Sequence, residues 1–220
     1  MDEIIYPRVL PVGETAFTVE LGNEIDAALN RRVHALDAAV RTAELPGVVE
    51  TVPTYRSLLV MVDPDQIGRS FRSQLLSLAR SEGTAEPQQA GHLLEIPVRY
   101  GGEDGPDLTA VADYCGLESE EVVRRHTAAD YQVAMLGFAP GFAYLLGLPE
   151  ALATPRLTTP RLQVPPGSVG IAGGQTGIYA LATPGGWRII GRTPVKLFDP
   201  AREDPFLIKA GDRLRFVALG

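Results

Sequence analysis

The chain opens on alternation. Residues 4–10 and 15–21 carry apolar side chains at every second position, the period of two strands, with a turn at Val12-Gly13-Glu14 between them. The period then lengthens. Ile25, Leu29, Val33, Leu36, Val40 and Ala43 recur at spacings of four and three, which predicts a helix starting at Asn23. Asp26 lies near its positive end, and Pro46-Gly47 follows its last turn. Residues 48–52 and 57–62 read as a second strand pair around Pro53-Thr54-Tyr55. After Asp63-Pro64, Ile67, Phe71, Leu75 and Leu78 mark the face of a second helix. The order ββαββα predicts an α+β sandwich over residues 1–85, helices covering one face of an antiparallel sheet.

Residues 81–91 are polar and aperiodic, the best linker in the chain. A strand at 93–99 follows, then a short helix from Asp107 through Cys115 closed by Gly116, and another from Ser119 to about His126. Beyond Tyr131 the pattern is strands and loops only: 131–136, 168–172, 177–182, 187–192, 195–198 and 213–218. That succession predicts a closed or nearly closed β-barrel over residues 92–220.

Composition narrows the function classes. The net charge is −7, yet residues 137–220 hold nine basic and five acidic side chains. Overall acidity argues against nucleic acid as a partner. The local surplus, which includes Arg156, Arg161, Arg188, Arg192 and Lys196, suits either a small anion or an acidic protein surface, or simply solvated arginine. One cysteine excludes an internal disulfide framework, the acidic start is unlike a secretory leader, and no apolar run reaches the ~20 residues of a membrane helix, so a cytoplasmic protein is expected.

Familiar chemistry is scarce. No phosphate-cradling Gly-x-x-x-x-Gly-Lys-Ser/Thr occurs, and three histidines with one cysteine give no metal-ligand pair. Gly170-Ile-Ala-Gly-Gly-Gln-Thr-Gly177 reads as an anion nest or as a tight β-corner. Cys115, in line with Leu108 and Val111, reads as a small core residue. Ser168 has no local histidine, and His34 lies on the solvent side of its helix. His126, at the end of a helix, reads as a C-terminal capping group or as a general acid or base facing the loops.

Four long motifs carry more weight: Leu136-Gly-Phe-Ala-Pro-Gly-Phe-Ala-Tyr-Leu, Thr154-Pro-Arg-Leu-Thr-Thr-Pro-Arg, Val164-Pro-Pro-Gly-Ser-Val-Gly-Ile-Ala-Gly-Gly-Gln-Thr-Gly-Ile-Tyr and Pro184-Gly-Gly-Trp-Arg-Ile-Ile-Gly-Arg-Thr-Pro. In this order they resemble the B subunit of bacterial 5-oxoprolinase. That family has also been labelled allophanate hydrolase subunit 1, carboxyltransferase subdomain C and D, and sporulation histidine-kinase inhibitor. The resemblance implies a cyclophilin-like barrel after the α+β domain; prolyl isomerase activity is not implied by that likeness of fold. It implies C and A partner subunits and ATP-dependent opening of 5-oxo-L-proline to L-glutamate, with ATP and magnesium held with or by the partners. This chain alone is expected to be inactive. Alternatives are an inhibitor of a sensor histidine kinase and a subunit in allophanate or urea metabolism. Opening a lactam through ATP needs groups that hold a carboxylate and stabilise phosphoryl charge. The expected site therefore takes His126 and Arg192 as catalytic. Arg156, Arg161, Gly173, Gly174, Gln175, Thr176, Tyr179 and Tyr131 are expected to bind substrate, in a pocket shared with a partner subunit.

Overall fold

The computed structural model describes residues 4–81 and 91–220, and the chain divides into two compact units, 1–90 and 91–220. The linker expected at 81–91 lies almost wholly outside the described residues.

In the first unit, β1 (Arg8–Pro11), β2 (Ala16–Glu20), β3 (Val48–Pro53) and β4 (Ser57–Val62) form an antiparallel sheet of order β1-β2-β4-β3. Helices α1 (Ala27–Thr42) and α2 (Phe71–Arg80) pack onto it. Val9, Val19, Leu58, Val60 and Val62 from the strands meet Val33, Leu36, Val40, Phe71 and Leu75 in one buried cluster. Alternation on the strands and four-three spacing on α1 thus produce the expected ββαββα layer. The helix start differs from expectation. Asp26, not Asn23, is the cap, its carboxylate accepting the Leu29 N–H at 2.8 Å, and Ile25 stays 54% exposed outside the helix. Ile67 likewise precedes α2.

The second unit is a closed seven-stranded barrel. Its strands are β5 (Leu93–Tyr100), β6 (Tyr131–Leu136), β7 (Ala143–Leu146), β9 (Ser168–Ala172), β10 (Gln175–Ile178), β12 (Arg188–Arg192) and β13 (Arg213–Ala218), in the order β10-β7-β6-β13-β5-β12-β9. A ribbon of β8 (Arg161–Val164) and β11 (Thr183–Gly185) stands apart from it. Helices α3 (Leu108–Cys115) and α4 (Ser119–Ala128) contact each other, with α3 on β12 and α4 on β13. Strands β7, β8 and β11 are additions to the expected set, because short runs broken by Gly and Pro carry too little period to register. The strand expected at 177–182 lies at 175–178, and of 195–198 only Phe198 pairs, in a bridge to Phe206. Gly116 closes α3 in the left-handed conformation as expected, whereas Glu118 rather than Ser119 caps α4. No helix among the described residues is long and apolar enough to cross a membrane.

Alternation on the barrel strands sorts two environments. Val169 and Ile171 of β9, Ile178 of β10, Ala143 and Leu145 of β7 and Ile190 of β12 fill the interior. Ala172, Phe142, Trp187 and Ile189 belong to a separate buried cluster with Val164 and Tyr179, on the outer face.

Candidate functional site

The barrel interior holds a directed chain of hydrogen bonds. The Thr176 hydroxyl donates to the Gly170 carbonyl at 2.9 Å, so its oxygen accepts from His126 Nε2–H at 3.1 Å. His126 Nδ1 is then the lone-pair side and accepts the Tyr100 hydroxyl at 2.8 Å. Tyr131 donates to the His126 carbonyl at 2.9 Å, and the imidazole stacks on Phe216 with centroids 4.5 Å apart. His126 is fully buried, and burial lowers its pKa from 6.5 to about 3, so the ring stays neutral. Burial also raises the Tyr100 and Tyr131 hydroxyls. His126 is therefore neither a helix-capping imidazolium nor an acid–base group open to the loops, and Tyr131 and Thr176 are interior partners rather than pocket residues. The amphipathic pattern of α4 turns residue 126 inward together with Val122, four positions earlier, which its place at the helix end obscures in the sequence.

Outside the same strands lies an aromatic slab on a glycine floor. Gly170 and Gly177 face each other across β9 and β10. A Cβ on Gly177 would sit 2.6 Å from the Ala143 carbonyl and 3.1 Å from the Trp187 ring, and one on Gly170 would meet Trp187 Cβ at 3.1 Å. Phe142 packs edge-on against Trp187 at 5.4 Å and against Tyr179 at 4.8 Å. Tyr179 is buried, with its hydroxyl against Gly185, where a Cβ would overlap it. Burial raises its pKa to about 12, against the opposing pull of a hydrogen bond from the Trp187 backbone and the charges of Arg156 and Arg161.

The β6–β7 loop completes this face. Ala139 N–H bonds back to the Gly137 carbonyl at 2.8 Å, a three-residue turn whose central residue, Phe138, is held at φ +67°. Ala139-Pro140-Gly141-Phe142 then forms a type II turn, Phe142 N–H to Ala139 carbonyl at 3.0 Å with Gly141 at φ +75°. Phe138 remains 64% exposed, its edge toward Phe142 at 5.5 Å and Tyr179 at 6.4 Å.

The expected arginines do not share one surface. Arg161 binds Asp107 at 2.7 Å, and the other Asp107 oxygen accepts the Ile189 N–H at 2.6 Å. Asp107 therefore joins α3 to β12 and β8 instead of capping α3 through its side chain, the role its position in the sequence suggests. Arg192 pairs with Asp104 and lies opposite Ser168, at the far end of β9 from the Gly173-Gly174 turn, roughly 15 Å along the strand. Arg156 is exposed, within electrostatic reach of Tyr144 and Tyr179, and forms no ion pair among the described residues. Arg188 donates to the Pro155 carbonyl at 2.9 Å, beside it. Gly173 and Gly174 make the two-residue turn of the β9–β10 hairpin, with Gly173 at φ +59° and its N–H bonded to the Thr154 carbonyl at 2.7 Å. Gln175 flanks that turn, half-buried. The loop is a β-corner, and its Gly173 donor is already committed. These residues do not fit a nucleotide triphosphate: the arginines nearest the loop are bound to Asp107 or to a backbone carbonyl, apart from Arg156. A cavity of about 210 Å³ elsewhere is lined by His92, Arg202, Lys209 and Asp212, and Lys209 is already bonded to Asp204 at 2.6 Å. It shares no residue with the slab.

The structure adds Tyr100, Asp107, Phe138, Phe142, Tyr144 and Trp187 to the residues that shape these two faces. For Phe138 a signal existed, a bulky residue set between Gly137 and Ala-Pro-Gly, where the turn would force its backbone.

The barrel, its outer slab and the α+β unit place the chain in a known structural class. Residues 7–208 match the carboxyltransferase domain, subdomain C and D. The chain is 46% identical to the B subunit of 5-oxoprolinase from Escherichia coli O157:H7, over 96% of this chain and 95% of that protein. It is 43% identical to the Bacillus subtilis (strain 168) protein of the same name, over 96% and 92%. Among solved structures, TTHA0988 superposes with a TM-score of 0.80 at 40% identity, covering 93% of this chain, which spans 40% of TTHA0988. PH0987 from Pyrococcus horikoshii is 46% identical over 96% and 97%, with a TM-score of 0.58. The urea amidolyase of K. lactis, 20% identical with a TM-score of 0.75 over 96% of this chain and 15% of its own length, shares the fold. The chain belongs to the family of 5-oxoprolinase B subunits.

Proposed function

We propose that this chain is the non-autonomous B subunit of a cytoplasmic, ATP-dependent 5-oxoprolinase that opens 5-oxo-L-proline to L-glutamate together with C and A subunits. One observation carries this reading: relatives named as B subunits of 5-oxoprolinase align with it along essentially their whole length. ATP and its magnesium belong with the partner subunits, since the cations and glycines of this chain are mostly occupied by their own neighbours. The contribution of this chain is the outer slab of the barrel. There Arg156 is the guanidinium left to meet a substrate carboxylate, with Tyr179 and Arg161 fixing the wall beside it. Arg192 and His126 hold the barrel through Asp104, Tyr100 and Thr176.

Purifying the chain with its C and A homologues and measuring ATP-dependent glutamate release from 5-oxo-L-proline tests this. Turnover is expected only from the complete set. An assembled set without turnover would overturn the assignment, and turnover by this chain alone would overturn its dependence on partners. Arg156→Ala should abolish release in an intact assembly. Normal turnover by that variant would remove Arg156 from the site.

A further inference from the structure

Three features of the slab do not serve the fold. Phe138 is a bulky side chain at φ +67°, where an L residue is strained and a glycine would be comfortable, and the turn spends that strain to hold the ring 64% exposed. Leu162 is 92% exposed inside the register shift of β8 against β11, where Val164 turns inward. Arg156 and Arg188 stand together with no carboxylate partner among the described residues, although six of the nine cations in 137–220 have one. Tyr179 ties these features to one region. Its ring meets Phe138, and its hydroxyl rests on Gly185, the strand partner of Arg161, next to Leu162.

We propose that this face is a protein-docking surface, with Phe138 as its anchor and Leu162 as a second apolar contact. Its occupant is a partner subunit presenting an apolar pocket with an acidic rim. An aromatic ring standing out from a rigid base has the make-up of an interface hot spot, and the concavity a small ligand needs forms only where the partner closes over Arg156. The base is rigid because Phe142, Tyr179 and Trp187 lock one another over the glycine floor, so little ordering cost accompanies docking. Arg188, whose charge no carboxylate among the described residues offsets, sets the sign of the partner's rim, while Arg156 is kept for the substrate carboxylate. The inference rests on the proposed assembly and assigns its surface on this chain.

The test measures association of the full chain with its C-subunit homologue by calorimetry, without substrate. Phe138→Asp should weaken binding about 100-fold or more, and Leu162→Asp less. Tyr114→Asp, on the exposed face of α3, should leave it unchanged. Binding should also weaken as salt rises. Circular dichroism and unfolding midpoints check that the variants fold, and Phe138→Asn gives a second variant suited to positive φ. Wild-type affinity in both Phe138 variants would overturn the proposal and leave the oxoprolinase reading standing. Failure of the unaltered chain to associate would overturn both. Binding of 5-oxo-L-proline to the isolated chain, lost in Phe138→Asp while association persists, would make Phe138 a ligand contact and also overturn the proposal.

Discussion

Strands β9 and β10 show two solutions on opposite faces of the same backbone. Inward, Thr176 and the Gly170 carbonyl end a polar chain that runs from the half-buried Tyr100 through the fully buried His126. Outward, Gly170 and Gly177 contribute no side chain at all and let Trp187 and Phe142 lie against the sheet. The inner face gains specificity from hydrogen bonds that tolerate one tautomer, and the outer face gains it from shape. Of the groups the sequence marks for the site, His126, Tyr131 and Thr176 lie inside the barrel and bond one another or its backbone, while Tyr179 lies on the outer face. The outside carries the exposed ring of Phe138 and Arg156, which forms no ion pair among the described residues.

Breaking the floor should have the largest effect. Gly177→Val places a branched side chain against the Ala143 carbonyl, the Trp187 ring and Phe142. A loss of about 3 kcal/mol or more in the unfolding free energy from urea titration is expected; a near-neutral result would mean that the slab can move. Removing the inner hub comes next. His126→Leu strands the Tyr100 hydroxyl and the Thr176 oxygen and should cost about 2–3 kcal/mol by the same titration.

The hub also predicts a pH dependence. The folded pKa of His126 is depressed to about 3 from 6.5. Its contribution is therefore complete above pH ~6.5 and is lost as pH falls, because only the unfolded chain takes up the proton until about pH 3. Between pH 6.5 and 5.5, above the range in which ordinary carboxylates titrate, stability should drop by on the order of 1 kcal/mol per pH unit. His126→Leu should flatten that slope, and a persisting slope in the variant would assign it to other groups. On the outer side, Arg161→Ala frees one oxygen of Asp107 while the Ile189 N–H keeps the other, for a loss of about 1–2 kcal/mol. Smallest of all, Arg156→Ala should leave stability within about 0.5 kcal/mol of wild type, since it forms no ion pair among the described residues. A larger loss would show that it supports the slab.

Much of the architecture is legible in period alone. The α1 stripe at Val33, Leu36 and Val40, the alternation in β4 and the Gly116 stop of α3 all read directly, because each depends on neighbours within a few residues. The short strands β7, β8 and β11 do not, since Ala143, Val164 and Gly185 take their meaning from strand partners distant along the chain, Ile178, Thr183 and Arg161. The same limit governs the site. Arg161 and Arg192 look like free cations until folding brings Asp107 and Asp104 to them, and His126 looks terminal until α4 rotates it onto Phe216.

By itself the sequence determined the two-part α+β and barrel organisation and the family, because periodicity and ordered motifs are local properties of the chain. Tertiary structure alone decided which polar groups are spent inside and which remain outside. Burial and charge pairing are properties of surroundings, and those surroundings exist only once the barrel has closed.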